Sequence, residues 1–336
     1  LKQIGAKALV HGCYIKINVT LKNGSEKPTI SNLLYSPTGK MVGRSDRQIL
    51  LGPENDIYSA AKKAGDVVNS DYGKLGMLCG ADSFMMEPAH LLAVRGARFL
   101  LNSAAIFATD IPDLHIPTRA AENGVFEIAA CNIGNVLSSE SAADLAEKLK
   151  CSEERLRGTG GSQIVSPEGV VLARGSSGSE EIVTAEIETD DVIIADSILR
   201  FRKPDLYKPI SRQPAPRDYK PGAKNLRVAI SQSYNALRNI DAPLIVFPEL
   251  CFFTNGVVSS LERAVQVSTQ MVSLISVFVN GTNKHVVTSM VEKFGDGFAH
   301  VGVVINKTGI VFRQLQLHGS QRLPWVNSLG TELNTF

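Results

Sequence analysis

Residues Tyr72–Pro88 read YGKLGMLCGADSFMMEP, and the fold is decided by how that stretch divides. Met77–Cys79 is a short apolar run of the kind a buried strand shows, and the pattern resumes at helical spacing over Glu87–Arg95. Moving outward, Arg98–Asn102 and Glu127–Asn132 read as strands, and Pro117–Asn123 and Ala142–Leu149 as helices. Further strands are predicted at Gln163–Val165, Val170–Ala173 and Glu181–Glu186. Alternation of this kind indicates an α/β domain whose sheets are covered by helices.

The alternation breaks at Phe201–Lys224, where Pro204, Pro209, Pro214, Pro216 and Pro221 sit among Arg, Lys and Tyr. Proline lacks the backbone donor that a strand or helix needs, so this segment reads as a linker or surface arm. Beyond it, Asn225–Ser231 and Pro243–Phe247 are predicted as short buried strands, with Leu226, Val228 and Ile230 on one face. Ser233–Arg238 between them suits a short helix. A faint repeat links the two regions. SPTGKMVGRSDRQIL (Ser36–Leu50) and NKTGIVFRQLQL (Asn306–Leu317) each follow an apolar strand, turn at Thr-Gly and reach an Arg-Gln pair. A period that long predicts tandem domains rather than a solenoid.

Composition excludes several classes of function. Lys and Arg total 35 against 33 Asp and Glu, a formal charge of +2, which leaves no basic excess for nucleic acid. No apolar run approaches the roughly 20 residues of a membrane helix. The five cysteines, Cys13, Cys79, Cys131, Cys151 and Cys251, form no CxxC pair, and no residues have metal-ligand spacing. Gly73, Gly76 and Gly80 do not make a phosphate-cradling GxGxxG. The expectation is a cytoplasmic protein with no cofactor, no metal, no nucleic acid and no membrane partner.

Taken together, the motifs resemble the nitrilase, or carbon–nitrogen hydrolase, superfamily. YGKLGMLCGADSFMMEP and AVRGARFLLNSAA resemble its nucleophile strand and the helix that follows. RAAENGVFEIAACNIGN (Arg119–Asn135) resembles its RAxEN segment, and GGSQIVSPEGVVLA (Gly160–Ala173) its closing hairpin. TAEIE with RFRKPDLY resembles its closing strand and arm, and NLRVAISQ with IVFPEL (Ile245–Leu250) its opening strand and base-bearing turn. The resemblance implies a four-layer αββα sandwich, self-association into dimers or larger spirals, and a Glu–Lys–Cys triad acting on amides or nitriles. In such chemistry a thiolate attacks the carbon while a carboxylate moves the proton, and an ammonium stabilises the oxyanion.

Matched residue by residue, the triad is altered. Gly76, Asp82, Glu87 and Gly96-Ala97 fall at the family spacing and place Gly80, not Cys79, at the nucleophile position. One step along a strand reverses the side chain, so Cys79 is expected to point into the sheet packing unless a bulge shifts the register. Arg47 takes the lysine position, where a planar fork replaces a compact ammonium, and Gln314 takes it in the second block. Glu54 matches the carboxylate that follows the lysine segment, and Glu249 in FPEL matches the general base. Residues 1–222 are therefore expected to form a nitrilase-like domain lacking its opening strand and base-bearing turn, and residues 223–336 the opening half of a second. Leu1, where a start Met would stand, suits a fragment of a longer tandem protein. Glu122 and Asn123 are expected as helix and loop anchors, and Asp82 as a hydrogen-bond acceptor under the turn. His115 reads as a loop residue near the pocket mouth, and His300 and His318 as surface or strand residues.

Three functions fit that pattern. A catalytically degenerate member could serve as a structural or assembly subunit, alone as a homo-oligomer or within a larger assembly. An active thiol amidase would use Cys79 as a shifted nucleophile with Arg47, Glu54 and an upstream glutamate. A binding module would take a small amide or carboxylate beside Gly80 and Arg47.

Overall fold

The computed structural model describes all residues except 25, 53, 105–110, 189–198, 200–201, 213–224, 254–257, 259, 321 and 336. It divides into two compact units, Leu1–Arg200 and Phe201–Phe336. The predicted proline-bearing arm thus groups with the second unit, and its part at 213–224 lies outside the described residues.

The first unit opens with helix α1 (Lys2–His11) and a meander of β1 (Ile15–Asn23), β2 (Glu26–Tyr35) and β3 (Met41–Asp46). After the single turn α2 (Glu54–Ile57) come β4 (Val68–Ser70), β5 (Gly73–Cys79), α3 (Met86–Val94), β6 (Phe99–Ala104), α4 (Ile116–Asn123) and β7 (Phe126–Cys131). A two-stranded ribbon of β8 (Ile133–Asn135) and β9 (Arg157–Thr159) brackets α5 (Ser139–Leu149). Strands β10 (Gln163–Val165) and β11 (Val171–Arg174) complete a six-stranded sheet in the order β11-β10-β7-β6-β5-β4.

Side-chain alternation explains how these layers stack. On β5, Leu75 and Met77 turn toward the three-stranded sheet and join Leu34, Phe99 and Phe126 in one cluster. Leu78, one residue on, turns the other way onto Ala89, Leu92 and Ala93 of α3. On the far side of the meander, Leu33 and Tyr35 pack against Ala8 of α1. The result is helix, sheet, sheet, helix: the αββα sandwich that the sequence resemblance implies. Each fully buried leucine of these clusters contributes about 2 kcal/mol of apolar burial. Local signals close the helices. Gly124 ends α4 in the left-handed region at φ 62°, and the Ser138 hydroxyl caps α5 by accepting from Ser141 N.

The second unit is a five-stranded sheet in the order β12 (Val228–Ile230), β13 (Leu244–Val246), β14 (His285–Phe294), β15 (Gly297–Asn306) and β16 (Gly309–Leu315). The first three run parallel and the last three form an antiparallel meander. Helix α6 (Leu261–Phe278) lays Ile275 onto Ile245, Val286, Met290 and Val303.

Two local expectations fail. Glu181–Glu186 forms no strand; Ile182 is 92% exposed, so its alternating residues have no sheet to face. The face formed by Leu226, Val228 and Ile230 points to solvent, at 60%, 48% and 81% exposure. As the edge strand of its sheet, β12 turns Ala229 inward instead, which inverts the expected face. Ser233–Arg238 tightens into a 3₁₀ turn over Tyr234–Asn239.

Candidate active site

Strand β5 ends at Cys79 and the chain breaks sharply into a 3₁₀ turn, Gly80–Ser83. Gly80 makes the break possible at φ +51°, a left-handed conformation that costs side-chain-bearing residues about 1–2 kcal/mol. A Cβ built on Gly80 would lie 3.0 Å from Arg47 Cζ and 3.2 Å from its Nη1. The position that faces Arg47 therefore carries no side chain, and the guanidinium lies against it. Cys79 shares the parity of Leu75 and Met77, sits between the two sheets and is 1% exposed. Burial, with the nearby Asp82 carboxyl, pushes its thiol up to about 11, against the pull of Lys16, an Asn32 hydrogen bond and Arg47. A thiol in that state is protonated and a poor nucleophile at neutral pH.

Arg47 follows β3 and is only 8% exposed. Its Nη1 and Nη2 donate to the two carboxylate oxygens of Glu54 at 2.9 and 2.8 Å, and its Nε to Ile49 O at 2.9 Å. Glu54 also accepts from Leu51 N at 2.8 Å. The planar fork is thus engaged at all three nitrogens, in the bidentate geometry that suits arginine. Asp82 locks this segment over the turn, its Oδ1 accepting from Gln48 N at 3.0 Å and Ile49 N at 2.9 Å. Burial raises the Asp82 carboxyl to about 6, against those two backbone hydrogen bonds and Arg47. The structure therefore brings Arg47, Glu54, Asp82 and Gly80 together and turns the Cys79 side chain into the layer between the sheets.

Two further polar clusters flank the elbow, centred on Glu127 and Lys16, which do not figure among the sequence candidates. On the helix side, Asn102 Nδ2 of β6 donates to Ser83 Oγ at 2.7 Å and to Glu127 Oε1 at 2.9 Å. Glu127, on β7, is fully buried, and its Oε2 has no hydrogen-bond partner among the described residues. Burial lifts its carboxyl to about 8, opposed by Asn102 and Arg119. Arg119 pairs with Glu122. Asn123 holds Arg119 O at 2.9 Å and His90 Nδ1 at 2.8 Å, the anchoring roles expected of Glu122 and Asn123. On the other side, Lys16 of β1 donates from Nζ to Leu78 O at 3.1 Å and sits 2.5 Å from Ser103 Oγ of β6. Burial lowers this ammonium to about 8, against the pull of Cys79 and Asp82. The sequence signal for Glu127 and Lys16 is a charge inside a strand-like run. With Ile15 and Ile17 facing α1, Lys16 has to face the second sheet.

The remaining candidates lie elsewhere. His115 packs edge-on against Phe84, with ring centroids 5.3 Å apart. In the second unit, Glu249 follows β13, with His300 Nδ1 at 3.6 Å and Arg322 Nη1 at 3.3 Å. It borders a cavity of about 670 Å³ lined also by Phe247, Thr288 and Gln314. Gln314 is tied to the chain's end, donating to Glu332 O and accepting from Asn334 N at 2.9 and 2.8 Å. His300, 8% exposed, bonds Gln316 Oε1 through Nδ1 at 2.9 Å, and His318 stacks on Tyr207. Among the described residues no three His, Cys, Asp or Glu groups could hold a metal ion, and no helix is long and apolar enough to cross a membrane.

Comparisons with known proteins bear on the family and the fold. The carbon-nitrogen hydrolase family model matches residues 1–194. Nitrilase 2 from an unknown prokaryotic organism is 26% identical over 206 residues, which is 59% of this chain and 64% of that protein. An aliphatic nitrilase from Sinorhizobium fredii (strain HH103) is 24% identical over 62% of this chain and 67% of its own length. The chain thus spans about two thirds of the length of these relatives. Among solved structures, NitN amidase from Neterenkonia sp. AN1 superposes with a TM-score of 0.50 at 22% identity, over 61% of this chain and 72% of that one. A second amidase structure, from Nesterenkonia sp. AN1, carries the acetamide moiety of fluoroacetamide on its active site cysteine. It gives a TM-score of 0.50 at 21% identity, over 62% and 71% of the two chains. With the family model covering more than half of its length, this chain belongs to the carbon–nitrogen hydrolase superfamily.

Proposed function

We propose that this chain is a carbon–nitrogen hydrolase family member that has lost thiol hydrolysis and is kept for its fold, as a structural or assembly subunit. One observation carries the reading: the left-handed position facing Arg47 is Gly80, while the adjacent Cys79 is buried between the sheets. The related amidase bears its covalent adduct on a cysteine. At Gly80 no sulfur is present to form one, and losing a nucleophile removes the covalent route outright. Helix, sheet, sheet and helix still stack around this elbow, which supports retention for packing or assembly with further copies or partners.

The alternatives have less support. A shifted-nucleophile amidase needs the Cys79 sulfur to face Arg47 and Glu54 across an open cleft, and its burial and raised pKa oppose that. A carboxylate-binding module needs a free guanidinium, but Glu54 already occupies both terminal nitrogens of Arg47. The test is ammonia release from a panel of aliphatic amides and nitriles, run beside Cys79→Ala. No turnover by either protein is expected. Activity that disappears with Cys79→Ala would overturn the reading.

A further inference from the structure

The emptied elbow is bordered by a pair of groups that the thiol chemistry does not use. Lys16 comes from β1, at the edge of the three-stranded sheet, and Ser103 from the C-terminal end of β6 in the other sheet. Only the stacking of the two sheets brings them together. Their polar atoms are 2.5 Å apart, and both residues are half-buried.

We propose that Ser103 and Lys16 form a serine–lysine dyad that accepts acyl groups from activated carbonyl compounds, esters ahead of amides. A serine hydroxyl alone is a weak nucleophile and needs a base within hydrogen-bond reach. A lysine can be that base once desolvation releases its proton near neutral pH. Lys16 meets both conditions. Its ammonium donates to Leu78 O at 3.1 Å and to Ser103 Oγ at 2.5 Å, and once it loses a proton the same short contact lets Nζ accept from the hydroxyl. Burial brings it to about 8, so a fraction is neutral at pH 7. The titratable groups acting on it are Cys79 at the end of β5 and Asp82 in the turn beyond; both favour the ammonium, and burial outweighs them.

In the step itself, Ser103 Oγ bonds the carbonyl carbon as its proton passes to the neutral Lys16 Nζ. The tetrahedral centre then collapses, the bond to the leaving oxygen breaks, and the new ammonium returns that proton to the departing alkoxide. The products are an ester on Ser103, an alcohol and a neutral lysine. Esters come first because an alkoxide or phenolate leaves more readily than an amide anion. The inference stands apart from the loss of thiol hydrolysis, because it uses neither Gly80 nor Cys79.

The experiment is acetylation of the intact protein by p-nitrophenyl acetate, followed by tryptic mapping. Ser103 lies in peptide 99–119 and Cys79 in peptide 75–95, so failure here and failure of the thiol-loss reading fall on different peptides. One acetyl group per chain on Ser103 is expected, absent in Ser103→Ala. Its formation should speed up with pH and level off above about 8, following Lys16. Lys16→Met should slow it by about 100-fold, the usual reach of a positioned general base. Lys16→Arg, which keeps the charge but cannot serve as a base, should slow it equally, and it carries the test if the methionine variant does not fold. Acetyl groups confined to surface lysines, label on Lys16 itself, or an unchanged rate in both Lys16 variants would overturn the proposal.

Discussion

The two units carry the same meander and bury very different side chains within it. In the first, β2 and β3 join through a turn at Thr38-Gly39, with a one-residue register shift just before it. In the second, β15 and β16 join at Thr308-Gly309 with the same shift before the turn. Past that turn the first unit places Arg47, paired with Glu54, and around it gathers buried Asp82 and Glu127 and half-buried Lys16. The second unit places neutral Gln314, and among its described residues the buried polar groups are Ser268, Thr288, Ser289 and His300. A buried charge serves chemistry or costs stability, whereas a neutral amide serves neither purpose strongly. The first unit therefore holds the carboxyl and amine that burial shifts furthest, and its stability should respond to pH more strongly than that of the second.

Glu127 should show the largest effect. Its carboxyl titrates near 8 when folded against 4.5 in the open chain, so between these values the folded state holds a proton that the unfolded state has released. By linkage, stability falls as pH rises through that window, then levels off above about 8. Glu127→Gln keeps an acceptor for Asn102 and removes the titration. At pH 8.5 it should stabilise the first unit by roughly 3–5 kcal/mol, and the gain should fade toward pH 5. Hydrogen exchange read by mass spectrometry resolves the two units. Equal pH responses in both would break the contrast between them. Lys16 acts in the opposite sense: its folded value of about 8 lies below 10.5, so stability is recovered as pH climbs from 8 toward 10.5.

Arg47→Ala comes next. It strands the Glu54 carboxylate and frees Ile49 O, and should cost about 2–3 kcal/mol, discounted because Glu54 is about one third exposed. A loss below 0.5 kcal/mol in urea titration would mean that Arg47 is free for a ligand after all. Gly80→Cys sharpens the same point from the other side. The left-handed backbone and the crowding against Arg47 should cost about 1–2 kcal/mol. The new thiol, next to a guanidinium, should alkylate at least about 10-fold faster than Cys79. Equal rates would mean that the elbow does not present this position to solvent.

Much of this was legible in the sequence because it rests on period and spacing. Met77–Cys79, Gly80 and the helix after it read as strand, turn and helix, and the family resemblance, matched at Gly76 and Asp82, implies Gly80 at the facing position. The chemistry around it was legible only in part. Arg47 and Glu54 are close in sequence, yet nothing in the letters shows the guanidinium already bonded at all three nitrogens. Lys16 and Ser103 are 87 residues apart on different sheets, so their meeting is a property of sheet stacking. The face of β12 was inverted for a related reason. Leu226, Val228 and Ile230 alternate as a buried strand would, but an edge strand can turn either face to the core, and the pattern does not say which.

The smallest effect tests whether the position after the meander is a strut in both units. Gln314 holds residues 332 and 334 through one donor and one acceptor, much as Arg47 holds Ile49 and Glu54. If the position is mainly a tether, Gln314→Ala should cost about 1 kcal/mol, the net worth of such hydrogen bonds near the surface. It should also raise hydrogen exchange at the amide of Asn334 more than at β14. Gln314→Arg would then be tolerated only if the guanidinium could reach Glu332 O, since among the described residues no carboxylate pairs with Gln314 as Glu54 does with Arg47. A loss as large as that of Arg47→Ala would show that charge contributes little in the first unit, and that the two struts are equivalent despite their chemistry.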